Sequence, residues 1–180
     1  HQKITHNGDL LFAPLQLQEI AIFEILSMAL AYRPLEIYPE AIELPMINAD
    51  NTCTPTRYKI DLINFIDPHG LAGCNLFAYG LKPLDNPLAP PIVIFQGTSV
   101  SPADNLEVNI DGLIADLTLD GVGDDTFHHW GAKEALENWL QHNVQDTKAL
   151  TMGHSLGGAL AILTGSFLPE YIQRVYAFGS

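Results

Sequence analysis

Leu150-Thr151-Met152-Gly153-His154-Ser155-Leu156-Gly157-Gly158-Ala159-Leu160-Ala161 is the stretch whose reading decides the fold. A short apolar run, a glycine-flanked serine and a second apolar run rich in small residues read as strand, sharp turn and helix. Within it, Gly153 to Gly157 fits G-x-S-x-G in the strand–turn–helix setting that this motif requires. The serine at such a turn takes up strained backbone that lifts its hydroxyl clear of the sheet, and the glycines on either side avoid clashes there. The helix behind it points N–H groups toward the site, which favours a developing oxyanion, and the N–H of Leu156 is one candidate donor. Average Gly and Ser usage would produce a bare G-x-S-x-G in about one chain in twenty of this length. The bland reading is a Gly-rich turn with a helix-capping serine, and the flanking strand and helix weigh against it.

Upstream, Asn75–Leu81 and Pro91–Phe95 read as strands, the second containing the continuous run Ile92-Val93-Ile94-Phe95 expected of a strand covered on both faces. Gln96-Gly97-Thr98 follows at its C-terminal end. Gly97 allows close backbone approach, and Thr98 can offer both a backbone N–H and a hydroxyl to an oxyanion. A helix is expected from His129 to Gln141, with Ala132, Ala135, Leu136, Trp139 and Leu140 on one stripe. Lys148–Met152 is a third strand, Gly157–Phe167 the next helix and Arg174–Phe178 a fourth strand. Alternation of this kind predicts an α/β fold with a largely parallel sheet and crossover helices. Sites in such sheets form beyond the C-terminal ends of the strands.

The first 70 residues read as a helical and irregular lead-in to a core spanning 71–180, together one incomplete domain. Leu15, Leu17, Ile20, Phe23, Leu26 and Leu30 recur at roughly helical spacing until Pro34. From Tyr32 to Pro68 prolines 34, 39, 45 and 55 break the chain, with a further helical stretch expected over Ile60–Ile66.

Composition narrows the function. Of 180 residues 47% are apolar and 16% charged, which suits a packed core and not a disordered chain. Eight Lys and Arg against 21 Asp and Glu leave a formal charge of −13, which repels nucleic-acid phosphates and anionic membranes. The longest uncharged stretch, Ala149–Pro169, is broken by glycines and polar residues and reads as buried strand and helix, not as a membrane span. A soluble protein is expected, its cellular address open, with secretion favoured over the cytoplasm. Cys53 and Cys74 can pair or remain buried thiols. No cofactor is implied.

The blocks Ile92–Thr98, His129-Trp130-Gly131, Leu150–Ala161 and Val175–Ser180 together resemble the class 3 lipases, the fungal-type triacylglycerol lipase group of the α/β-hydrolases. The likeness runs from about residue 75 to 180, with the serine block specific and the others supportive. It implies a serine esterase acting on lipid esters, with Ser155 as nucleophile, Thr98 and Leu156 forming the oxyanion hole, and Gly153, His154 and Gly157 shaping the elbow. Gln96 stands where an arginine is common in the family. Ser99 to about Phe127 stands where the family keeps its lid, and Ile110, Leu113, Ile114 and Leu117 would suit a flap or simple packing. The implied partners are a lipid ester substrate and transient contact with a lipid interface.

A neutral hydroxyl needs an adjacent base held by an acid, and in this fold they follow the serine as Asp or Glu and then His. After Ser155 the sequence contains neither Asp nor His, and Glu170 precedes a strand instead of following one. His128 and His129, beside Asp124 and Asp125, read as a solvated loop entering a helix, and a metal site there is disfavoured because neighbouring residues converge poorly. His154 reads as a packing or site-wall residue, His69 as a turn residue, and the acidic run Asp111–Asp125 as a solvated face. The acid and base are therefore expected beyond Ser180, on a downstream segment or a partner chain, and the 180 residues alone are expected to be inactive. The competing readings are a catalytically incomplete module that binds a lipid or a partner, and a peptidase or thioesterase on the same fold.

Overall fold

The computed structural model describes residues 14–31, 40–47, 53–65, 77–97 and 131–179. Helix α1 spans Pro14–Ile25 and runs straight into a π-helical turn, Leu26–Leu30. Strands β1 (Ala41–Ile47), β2 (Cys53–Asn64), β3 (Phe77–Pro83) and β4 (Ile92–Phe95) follow. Then come α2 (Ala132–Asn143), β5 (Ala149–His154), α3 (Leu156–Phe167) and β6 (Ile172–Phe178).

The strands form one six-stranded sheet in sequential order. β1 to β4 pair antiparallel, and β4, β5 and β6 pair parallel. The α/β class is borne out, and the sheet is mixed, with its parallel part confined to the last three strands. Two successive right-handed crossovers that step the same way along a sheet place their helices on one face, and α2 and α3 do share a face. There Val93 and Phe95 pack with Leu136, Leu140, Leu156 and Leu160. On the opposite face Ile92, Ile94, Leu150 and Met152 pack under Phe23, Leu26 and Leu30. Ile92-Val93-Ile94-Phe95 is wholly buried because both faces of β4 are covered.

The stretch from 41 to 64 departs from expectation. It forms β1 and β2, so Ile60–Ile66 is strand through Asn64 and not helix. Apolar residues point both ways along it, Tyr58 toward α1 and Ile63 toward α2 and α3, which hides the period-two alternation. Two of the prolines read as chain breakers face each other across this hairpin, Pro45 opposite Pro55. Neither has an N–H to give. Pro45 lies on the edge strand, and Pro55 precedes Tyr58, where pairing with β3 begins, so the ladder loses little. In α1 the expected stripe is only half kept: Phe23, Leu26 and Leu30 are buried, whereas Leu17 and Ile20 are exposed.

Helix α2 crosses back over β2 and β3. The Trp139 indole lies against Gly80, where no side chain would fit, and its Nε1–H donates to Asp61 Oδ2 at 3.3 Å. Asp61 also pairs with Lys59 at 2.9 Å. Cys53 is an exposed free thiol; Cys74 lies outside the described residues. Among the described residues no helix is long and apolar enough to cross a membrane.

Candidate active site at the β5–α3 turn

Strand β5 delivers His154, and the chain turns at Ser155 into the first residue of α3, Leu156. Ser155 has φ 55° and ψ −126°, and it is the one non-glycine residue with positive φ among those described. A conformation of that kind costs roughly 1–3 kcal/mol and persists only where its surroundings over-determine it. Those surroundings are visible. The Ser155 N–H donates to the Phe178 carbonyl at the end of β6 at 2.9 Å. Its own carbonyl accepts from Gly158 at 2.8 Å and Ala159 at 3.2 Å, closing the first turn of α3.

The two glycines of the motif are required by close packing. A Cβ on Gly153 would run into the backbone of Gly157. A Cβ on Gly157 would lie 2.6 Å from the Phe95 carbonyl oxygen and 3.0 Å from the carbonyl carbon of Gln96. Backbone therefore touches backbone where α3 starts and β4 ends. Phe95 is also the register partner of Gly153, so the ends of β4 and β5 are side by side.

This contact brings Gln96 and Gly97 next to the N-terminus of α3. Leu156 buries its side chain almost completely in the core. Its N–H belongs to the first helical turn, which has no intrahelical acceptor. Thr98 lies outside the described residues, as do Ser99 to Trp130, with the expected lid segment, Asp124, Asp125, His128 and His129. His69 also lies outside them.

His154 is half-buried and sits on the α1 side of the sheet, in register with Phe178. Its ring lies against Gly179, where an added Cβ would come 2.9 Å from Nε2. Gly179 has φ 60° and so takes a left-handed turn straight after β6. Sequence reasoning passed over Gly179 as part of a matching block. The signal was present, a glycine immediately after an apolar strand.

The other titratable residues of this half lie elsewhere. Glu170 is exposed in the turn before β6, beside the start of β5, where Ala149 N–H donates to the Tyr171 carbonyl. That is the opposite end of β5 from Ser155, about 20 Å away by strand rise. His142, in the last turn of α2, bonds the Asn138 carbonyl through Nδ1 at 2.7 Å. On the α1 face burial raises the Glu19 carboxyl, partly countered by Arg174. Arg174 donates to the Tyr176 hydroxyl at 3.0 Å, and burial raises that phenol in turn. Among the described residues no three His, Cys, Asp or Glu side chains gather as a metal site would need.

A serine held at positive φ between a buried parallel strand and a helix packed backbone-to-backbone on the neighbouring strand has the strand–turn–helix geometry of the G-x-S-x-G elbow of α/β-hydrolases. Residues 94–180 match the family model described as Lipase (class 3), so the likeness to class 3 lipases is borne out over that segment. No curated protein gives a significant match to the chain.

Proposed function

We propose that this protein is a serine-dependent carboxylic ester hydrolase acting on lipid esters. The backbone of Ser155, strained within the class 3 lipase segment, carries this reading. In the mechanism Ser155 Oγ attacks the ester carbonyl, and the negative charge that develops on oxygen is held by the Leu156 N–H and by Thr98. Collapse of the tetrahedral intermediate expels the alcohol and leaves an acyl-enzyme, which water hydrolyses. The approach of Gln96-Gly97 to the start of α3 supports an oxyanion hole built from both strand ends.

The base and acid are expected beyond Ser180. Two observations favour continuation of the domain on the β6 side. Among the described residues β6 pairs with β5 alone, and Val175 on it is exposed together with Ile162 and Phe167 of α3.

The discriminating experiment is hydrolysis of short- and medium-chain nitrophenyl esters by the natural protein and its Ser155→Ala variant. The hydrolase reading expects turnover that the substitution abolishes. Turnover that survives it removes Ser155 from the mechanism, and a natural protein without turnover favours the binding module.

A further inference from the structure

The strained backbone of Ser155 hangs on β6 through one bond, from its N–H to the Phe178 carbonyl at 2.9 Å. That carbonyl belongs to the peptide unit joining Phe178 to Gly179, and a peptide unit turns as one plane. Gly179, at φ 60°, therefore shares a plane with the acceptor that holds the serine. Glycine takes up this left-handed conformation without steric cost, and it takes up negative φ as readily. It permits the turn without choosing it. A peptide beside glycine also flips with little resistance, which is how turns of types I and II differ, and a flip here would swing the carbonyl away from the Ser155 N–H.

The group that selects one conformer sits one residue before the serine. His154 ends β5 as the register partner of Phe178, and its half-buried imidazole lies against Gly179. A Cβ built on Gly179 would meet Nε2 at 2.9 Å, Cδ2 at 3.3 Å and Cε1 at 3.8 Å, so the far edge of the ring makes the contact. We propose that His154 is a positioning residue for Ser155: its ring, packed on Gly179, holds the Phe178–Gly179 peptide with its carbonyl toward the Ser155 N–H. The two neighbours thereby close a small circuit, the side chain of His154 onto Gly179 and the N–H of Ser155 onto Phe178. Reach matters here and basicity does not, because the ring acts by occupying space above the glycine. The consequence for turnover rests on the serine hydrolase reading above, whereas the contact stands apart from it.

The test compares His154→Gln, His154→Asn and His154→Ala in the natural protein, with dissolved nitrophenyl butyrate as substrate. Glutamine carries an amide out to the place of Nε2, asparagine reaches only as far as Nδ1, and alanine leaves a gap. For Ala and Asn kcat should fall about tenfold or more with KM within about twofold, and Gln should restore kcat to within about threefold of the parent. The rate of fluorophosphonate labelling at Ser155 should follow kcat through the series. A second arm reads the contact without any turnover. Gly179→Ala should lower the melting midpoint by about 4 °C or more in the parent and by about half as much in His154→Ala, where the clash is gone and the left-handed strain remains. Additive melting shifts, or a kcat within about twofold of the parent in all three variants, overturn the proposal. So does a Gln variant as inactive as Ser155→Ala, since glutamine cannot accept a proton and His154 would then be the base. Coupled melting shifts in a natural protein that hydrolyses no ester support the contact and count against the hydrolase reading. Hydrolysis with additive shifts does the reverse.

Discussion

The two faces of the sheet are closed by helices in different ways. On one face α3 meets the strands backbone to backbone, with Gly157 against Phe95 and no room for a methyl group. On the other, α1 and its π turn rest on the sheet through large side chains, with the Phe23 ring edge-on to Tyr176 at 4.8 Å between centroids. Close packing of the first kind holds a strained serine in place. Packing through side chains tolerates adjustment and leaves an outward face free to differ. Precision lies on the α3 side and adaptability on the α1 side, and substitutions can break or sharpen that contrast.

The largest expected effect comes from one added methyl on the precise side. Gly157→Ala should cost about 3 kcal/mol, because its Cβ meets the backbone of β4 and not a flexible side chain. Chemical denaturation of variant and parent measures it, and a cost below that of an ordinary surface change would deny the tight contact. Gly80→Ala is next, at roughly 1–3 kcal/mol, since the Trp139 ring must give up its seat and its bond to Asp61. Loss of Trp139 fluorescence shielding would report the displacement directly.

Ser155→Gly should act in the opposite direction. It relieves a positive-φ conformation that costs a side-chain-bearing residue roughly 1–3 kcal/mol, so stability should rise by about 1 kcal/mol while esterase activity disappears. Thr151→Val belongs with it. Thr151 is fully buried on β5 with no partner for its hydroxyl among the described residues, whereas Thr164 on α3 bonds the Leu160 carbonyl at 2.7 Å. Removing the unpaired hydroxyl should gain up to about 1 kcal/mol, and the same change at Thr164 should gain less or lose.

The smallest effect belongs to the adaptable side. Burial raises the Glu19 carboxyl above its ordinary value, so the folded state binds its proton more tightly than the unfolded chain does. Glu19 therefore favours folding most at low pH, and that contribution is lost as pH rises through the raised value. Glu19→Gln should flatten this part of the stability profile and raise the melting midpoint at pH 7 by about 2 °C or less, because the ion pair with Arg174 at 3.9 Å offsets part of the burial cost.

Legibility in the sequence divides along the same line. The elbow could be read because its requirements are local: two glycines and a serine within five residues, between an apolar strand and a helix of small residues. β4, β5, α2, α3 and β6 all form within a few residues of their expected bounds. The β1–β2 hairpin could not be read in this way. Its strand character comes from pairing across the sheet, which excuses Pro45 and Pro55, and from burial on both faces, which masks the alternation around Ile60 and Ile63. In the first helix burial repeats every four residues and not every 3.6, so Leu17 and Ile20 of the apolar series at roughly helical spacing face solvent. Thr98, expected from the sequence to serve the oxyanion, and the histidines 128 and 129 lie outside the described residues.

Covalent labelling tests the central claim most directly. The natural protein, treated with a fluorophosphonate and analysed by intact mass and peptide mapping, should take up one label on the Ser155 peptide. The Ser155→Ala protein should take up none. Label on another residue, or equal label on both proteins, would contradict the assignment of Ser155 as the nucleophile.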